Sequence, residues 1–321
     1  MILSGGAIWL LQPLWRQYAL AKPNARSSHE TPTPQGGGIA VMLAVLVVAV
    51  LSTVPAWPSL YSMLSAALLL AVLGAIDDIR ALSAPLRLIV QAVAVILVVA
   101  TLPSELRVVP IFPWWLERAL LVIAFLWFVN LVNFMDGIDW MTVAEVVPVT
   151  IALSVFGLTG ALPRDATFIA FALCGAMIGF APFNRPVARL FLGDVGSLPV
   201  GLLLGWLLTL LAGNGHFTAT LLLPLYYLAD ATVTLVRRLL NREDVLQAHR
   251  SHFYQQAMDG GLNIYGIVGS VFAVNIALSG LAAITVFSPS RSFNTLMLVI
   301  GCILVGSLLI KFNRIGRHTS S

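Results

Sequence analysis

Residues 31–76 read TPTPQGGGIAVMLAVLVVAVLSTVPAWPSLYSMLSAALLLAVLGAI and hold no charged side chain. A helix that crosses a bilayer needs about 20 consecutive apolar residues. The stretch has room for two, and Pro55 and Pro58 are the breaks inside it, so it reads as two spans joined by a tight turn. Uncharged runs of this kind recur outward in both directions. Apolar residues make up 59% of the chain and charged residues 10%, with a mean hydropathy of +0.93. A soluble chain carries about 25% charged residues, so lipid must solvate this one.

Counting uncharged runs between charged or Pro/Gly-rich loops gives eleven candidate helices, at 3–21, 36–56, 59–76, 86–103, 115–134, 142–161, 166–183, 196–213, 217–238, 263–287 and 293–311. The expected fold is all-α, one polytopic membrane domain over residues 1–321, with no internal repeat or soluble domain. The first run lacks a basic segment before it and a small-residue cleavage site after it, so it reads as a retained span.

Eleven helices divide the loops into two sets on opposite membrane faces. Arg16, Lys22, Arg26, Arg80, Arg87, Arg185, Arg189, Arg237, Arg238, Arg242, Arg250, Lys311, Arg314 and Arg317 fall with the loops after odd helices, against Arg107, Arg118, Arg164 and Arg291 on the other face. Short cytoplasmic loops carry the excess of Lys and Arg. The odd loops are therefore expected in the cytoplasm and the N-terminus outside it. The net charge of +4 then reports orientation and implies no nucleic-acid partner. Cys174 and Cys302 lie in apolar runs without metal-ligand spacing and read as buried free thiols.

The acidic residues carry the chemistry. Asp77, Asp78, Asp136, Asp139, Asp194, Glu243 and Asp244 all share the basic face. Asp77 and Asp78 end an apolar run at the lipid boundary, where a carboxylate is a functional candidate by default; an ordinary interfacial carboxylate is the alternative. Asn130, Asn133, Asp136 and Asp139 recur every third residue, which keeps them near one face if the helix persists. Two amides followed by two carboxylates suit a hard cation and a polar substrate, or glue between helices.

Asp194 stands in the turn Leu192-Gly193-Asp194-Val195-Gly196-Ser197 that opens the eighth helix, downstream of Asn184. Free N–H groups at a helix start suit phosphate, and Asp194 can hold magnesium against it; an N-cap in a glycine turn is the plainer reading. His249-Arg250-Ser251-His252 in the last long loop suits an anionic pyrophosphate or a lipid headgroup, with too few further ligands for a zinc site. Gly36-Gly37-Gly38 opens the second helix, and Asp230 sits inside the ninth, paired or facing a polar cavity.

Together these strings resemble the polyprenyl-phosphate N-acetylhexosamine-1-phosphate transferase family. It includes enzymes that initiate O-antigen, enterobacterial common antigen and teichoic acid linkage, and the peptidoglycan lipid I synthase. The resemblance spans about Pro23 to Gln255 with the motifs in family order. Asn24 to His29 and His249-Arg250-Ser251-His252-Phe253-Tyr254-Gln255 look closest to the O-antigen-initiating branch.

The resemblance implies transfer of a sugar 1-phosphate from a UDP-sugar to undecaprenyl phosphate, with loss of UMP, at cytoplasmic loops of a bacterial inner-membrane protein whose N-terminus is periplasmic. It implies Mg2+, or Mn2+, on Asp194 and Asp136, and Asp77, Asp78, Asp136 and Asp139 as the catalytic set. Asn133, Asn184, His249, Arg250 and His252 are the expected substrate contacts, and a homodimer is allowed by the resemblance alone. The chain departs from the family at Ala21, where an acidic residue is common, at Gln35, commonly basic, and at Trp140, commonly glycine. An ion-coupled transporter is the rival reading. Such proteins often show paired repeats, and none is visible here.

Overall fold

The computed structural model describes residues 1–18, 20–21, 32–51, 58–244, 249–288 and 290–317. Lys22, the Asn24 to His29 string and the turn around Pro55 lie outside the described residues. Helices fill most of the rest: α1 Ile2–Tyr18, α2 Gly37–Leu51, α3 Pro58–Ile79, α4 Ala84–Ala100, α5 Trp114–Met135, α6 Met141–Leu158, α7 Arg164–Phe180, α8 Asp194–Gly213, α9 Phe217–Leu222, α10 Leu225–Leu240, α11 Phe253–Asp259, α12 Ile264–Phe287 and α13 Arg291–Arg317. One short hairpin pairs β1 Leu20–Ala21 antiparallel with β2 Thr33–Pro34.

All eleven expected runs contain helix, with two corrections. The ninth is not continuous: it divides at Leu223–Pro224 into α9 and α10, because proline cannot donate the backbone hydrogen bond that would carry the helix through. A further helix, α11, forms in what reads from sequence as a loop. Among the described helices, α3, α5, α6, α8, α12 and α13 are long and apolar enough to cross a membrane. Ile89, Ile123 and Ile303 stand exposed on α4, α5 and α13, a surface that suits a multi-pass membrane protein. Cys174 is buried, but Cys302 is exposed on α13; an apolar run in lipid does not distinguish the packed face from the outward one.

Helix α8 is the centre of the bundle, buried from Val195 to Ala212, with α3, α5 and α2 packed around it. Glycine makes the closest approach: a Cβ on Gly38 would stand 2.2 Å from the Gly196 Cα, so α2 and α8 touch backbone to backbone. The two ends of the bundle differ. At one, the ends of α3 and α5 meet the start of α8. At the other, Glu117 accepts from Arg107 and from the backbone N–H groups of Val108 and Val109, and Asn214 donates to the Ala161 carbonyl. The loops that follow α3, α5 and α7 thus lie at one end, and those that follow α4, α6 and α8 at the other.

Candidate active site

The site begins with a cap supplied from another helix. Asp78, one residue from the end of α3, accepts the Asp194 N–H on Oδ1 at 3.0 Å and the Val195 N–H on Oδ2 at 3.2 Å. The next two N–H groups of α8, from Gly196 and Ser197, go to the Gly193 carbonyl. The start of α8 is therefore not open to phosphate as expected from sequence; its donors are already taken. Gly193 has φ +75, and a Cβ there would stand 2.5 Å from Asp78 Oδ2, so glycine is required both for the turn and for the approach. Gln35 completes this edge by donating to the Asp78 carbonyl at 2.6 Å.

Asn133, on the last turn of α5, donates through Nδ2 to Asp194 Oδ1 at 2.8 Å and to Ser197 Oγ at 2.9 Å. On the other side of Asp194, Arg87 Nη1 lies 3.8 Å from Oδ2 and 2.9 Å from Asp77 Oδ2. Asp77 Oδ1 also accepts the Leu82 N–H at 2.6 Å. Arg87 thus joins Asp77 to Asp194 across the junction of α3, α4 and α8. Among the basic residues of its face nothing in the sequence singles Arg87 out, although it stands one turn into a helix opened by Pro85, ten residues after Asp77.

The Asn-Asn-Asp-Asp ladder does not stay on one helical face. Asn130 turns to Gln91 Oε1 at 2.7 Å and ties α5 to α4. Helix α5 ends at Met135 with Asp136 as its C-cap, so Asp139 arrives from a turn. Asp136 Oδ1 accepts from the Thr142 hydroxyl, and Asp139 Oδ2 accepts the Ala188 N–H at 2.9 Å. Asp78 and Asp139 still lie near enough to act on Asp136 through their charge. Burial, reinforced by those two carboxylates and opposed by Thr142, raises the Asp136 carboxyl to about 7.

Asn184 holds the neighbouring loop: Oδ1 accepts the Trp140 N–H at 2.8 Å and Nδ2 donates to the Leu190 carbonyl at 3.0 Å. Trp140 has φ +63, the left-handed region that favours the glycine common in the family. Its indole Nε1 donates to the Ala181 carbonyl at 2.6 Å and its ring meets Tyr265 edge-on.

The last loop is anchored by Asp230. Oδ1 of this buried carboxylate lies 3.1 Å from His252 Nδ1 and accepts the Phe253 N–H at 3.1 Å; Oδ2 takes the Tyr226 hydroxyl at 3.1 Å. Asp230 therefore fixes the start of α11, a role not readable from its isolated position in sequence. His252 is buried and stacks on Tyr254, whose hydroxyl reaches the Phe134 carbonyl at 3.3 Å. Arg250 pairs with Asp259 at 2.8 Å. Burial, with His252 and Arg238 beside it, lowers His249 to about 4, so it offers a neutral imidazole at pH 7. The structure thus gathers Asp77, Asp78, Asp136, Asp139, Asp194 and Asn133, and sets the His249 to His252 string beside them through Tyr254.

No three His, Cys, Asp or Glu among the described residues form a metal-binding cluster. Magnesium does not require one, since one or two carboxylates usually suffice when substrate phosphates and water complete its shell. The donor chemistry fits: Asp77 and Asp78 act on Asp194 through their charge, Asp78 and Asp139 act on Asp136, and Arg87 is a cation set between Asp77 and Asp194.

Residues 60–212, which carry α3 to α8, match glycosyl transferase family 4. The chain is 24% identical to the "Probable undecaprenyl-phosphate N-acetylglucosaminyl 1-phosphate transferase" of Bacillus subtilis, over 80% of this chain and 76% of that protein. It is 29% identical to the decaprenyl-phosphate N-acetylglucosaminephosphotransferase of Mycobacterium leprae, over 92% and 82%. It is 30% identical to the phospho-N-acetylmuramoyl-pentapeptide-transferase of Streptococcus agalactiae, over 58% and 64%. The matched segment carries Asp77, Asp78, Asp136, Asp139 and Asp194, the carboxylates built into the site, so it is in the part of the molecule that forms the site that the chain is similar to glycosyl transferase family 4.

Proposed function

We propose that this protein transfers an N-acetylhexosamine 1-phosphate from a UDP-sugar to a polyprenyl phosphate, releasing UMP and starting a lipid-linked glycan such as O-antigen. The observation that carries this reading is the convergence of Asp77, Asp78, Asp136 and Asp194 at one end of a membrane bundle, with Arg87 among them. A phosphate oxygen of the lipid attacks the sugar-bearing phosphorus, and the bond from that phosphorus to the UMP oxygen breaks. Both reactants are anionic, so the main barrier is charge.

Arg87 is placed to meet the lipid phosphate, with Asp77 orienting its guanidinium. Asp78 acts by holding the start of α8, and with it Asp194, in place. Asp194 and Asp136, each within reach of the Asp78 charge, would hold Mg2+, which when bound supplies charge neutralisation to the pyrophosphate. Asn133 orients Asp194, while Asn184 shapes the adjoining loop. The His249 to His252 string offers hydrogen bonds to the leaving nucleotide. The basic-loop bias supports a site facing the cytoplasm of a bacterial inner membrane, with the N-terminus in the periplasm. A transporter would need its carboxylates reachable from both faces, and here they gather at one end.

The test is to incubate the purified protein with polyprenyl phosphate, magnesium and a panel of UDP-N-acetylhexosamines. UMP release that requires lipid and sugar nucleotide together is expected. No UMP and no lipid-linked sugar with any donor would reject the reading.

A further inference from the structure

The end of the bundle opposite Asp194 holds a cavity of about 300 Å3, lined by Glu105 and Leu106 of the α4–α5 loop, Asp165 at the start of α7, Trp206 and Leu210 on the later turns of α8, and Asn214 at its C-cap. About 18 Å of helix separates Trp206 from Asp194, so this cavity is distinct from the site described above. Its walls are fixed by the chain. Arg118 Nη2 donates to the Pro103 carbonyl at 2.6 Å and the Leu106 carbonyl at 3.1 Å, which holds the α4–α5 loop. Asn214 Nδ2 donates to the Ala161 carbonyl at 3.0 Å, which holds the α6–α7 turn against the end of α8.

Two polar groups of this lining lack partners. Trp206 is fully buried, and its indole N–H meets no acceptor. Asp165 is 4% exposed; Oδ1 accepts the Ala166 N–H at 2.8 Å, while Oδ2 accepts from no group among the described residues. Glu105 adds a second carboxylate, exposed and held only by the Ser104 hydroxyl at 2.6 Å. No basic side chain lines the cavity. The neighbouring cations do not answer the two acids: Arg107 pairs with Glu117, Arg118 lies over the Trp114 ring at 5.5 Å, and Arg164 is exposed and joins neither carboxylate.

A buried carboxylate without a cation is costly. Water in such a space satisfies hydrogen bonds but leaves the charge unanswered. Ammonium groups are drawn both to carboxylates and to an indole ring, and the indole N–H needs an oxygen. A ligand pocket of this volume is at the lower end of those that take small molecules.

We propose that this cavity binds an organic cation with an oxygen close to its ammonium group, the chemistry of ethanolamine. The ammonium meets Asp165 and Glu105, and the oxygen accepts from Trp206 Nε1. Such a group reaches the cavity as a free amine or as the headgroup of an ethanolamine lipid.

The test is thermal unfolding of the full chain in detergent, which reads binding through the stability that a ligand confers on the folded state. Turnover plays no part in it, so the outcome stands apart from the transferase reading. One arm adds ethanolamine hydrochloride, against sodium chloride at equal ionic strength and against ethylene glycol, which has the size without the charge. The other adds lysophosphatidylethanolamine, against lysophosphatidylglycerol. A saturable rise in Tm with the amine, in either arm, is expected; the free-amine arm or the lipid arm alone then names the source. Asp165→Asn is expected to weaken that binding at least about tenfold, and Trp206→Phe, which keeps a ring but loses the N–H, to weaken it less. No rise beyond the controls in either arm overturns the proposal and leaves the cavity to water. Wild-type affinity in a folded Asp165→Asn protein overturns it as well.

Discussion

Asp78 holds Asp194 by its backbone: the Asp78 carboxylate accepts the Asp194 N–H at 3.0 Å and the following N–H, of Val195, at 3.2 Å. Two acidic residues that look equivalent in sequence therefore do different work: Asp78 builds the helix start, while the Asp194 carboxylate turns to Asn133 and Arg87. Loss of a helix cap costs about 1–2 kcal/mol. Asp78→Ala should lower thermal stability in detergent by about that amount, and Asp78→Asn, which keeps one acceptor oxygen, by less. Equal stability of all three proteins would show that the cap contributes nothing.

The cation-holding role proposed for Asp136 predicts a defined pH dependence of turnover. Its carboxyl is raised to about 7 by burial and by the charges of Asp78 and Asp139. The ionised form is the one that can hold a cation, and a raised value means that it is lost as pH falls. At low magnesium, kcat/KM should fall about tenfold per pH unit below about pH 7. More magnesium should carry this limb to lower pH, because a bound cation favours the ionised form. A rate that stays level from about pH 8 down to about pH 5 would contradict the assignment.

Trp140 separates backbone strain from side-chain contact. A left-handed non-glycine residue costs about 1–2 kcal/mol, and here φ is +63. Trp140→Ala keeps the strain and loses the indole bond to Ala181 and the Tyr265 contact. Trp140→Gly loses the same contacts but relieves the strain. The Gly variant should therefore be more stable than the Ala variant by about 1 kcal/mol, after allowing for the greater chain entropy of glycine. Thermal unfolding of the pair measures this directly; an Ala variant as stable as Gly would mean that the backbone is not strained.

The legible part of the molecule followed from charge. Uncharged runs locate the helices, and alternation of basic loops places Asp77, Asp136 and Asp194 at one end. What stayed hidden depended on direction. Spacing by three could not reveal that α5 stops at Met135 and releases Asp139 into a turn, or that Asn130 faces Gln91 instead of the site. A basic count treats Arg87 as one more cytoplasmic charge, although its position between Asp77 and Asp194 gives it a place in the site. Asp230 and Glu145 are isolated acids in apolar runs, and their partners, His252 and Asn275, are 22 and 130 residues away.

Asp194 is proposed to serve sugar-phosphate transfer at a site that Asp78 and Asn133 hold in place. The most direct measurement is UMP release by purified Asp194→Asn, supplied with polyprenyl phosphate, UDP-N-acetylhexosamine and magnesium, beside a thermal unfolding curve of the same sample. Unfolding should match wild type, with turnover reduced about a hundredfold to a thousandfold, the scale seen when a principal electrostatic group is removed from an active site. Turnover near wild type in a folded Asp194→Asn protein would contradict it.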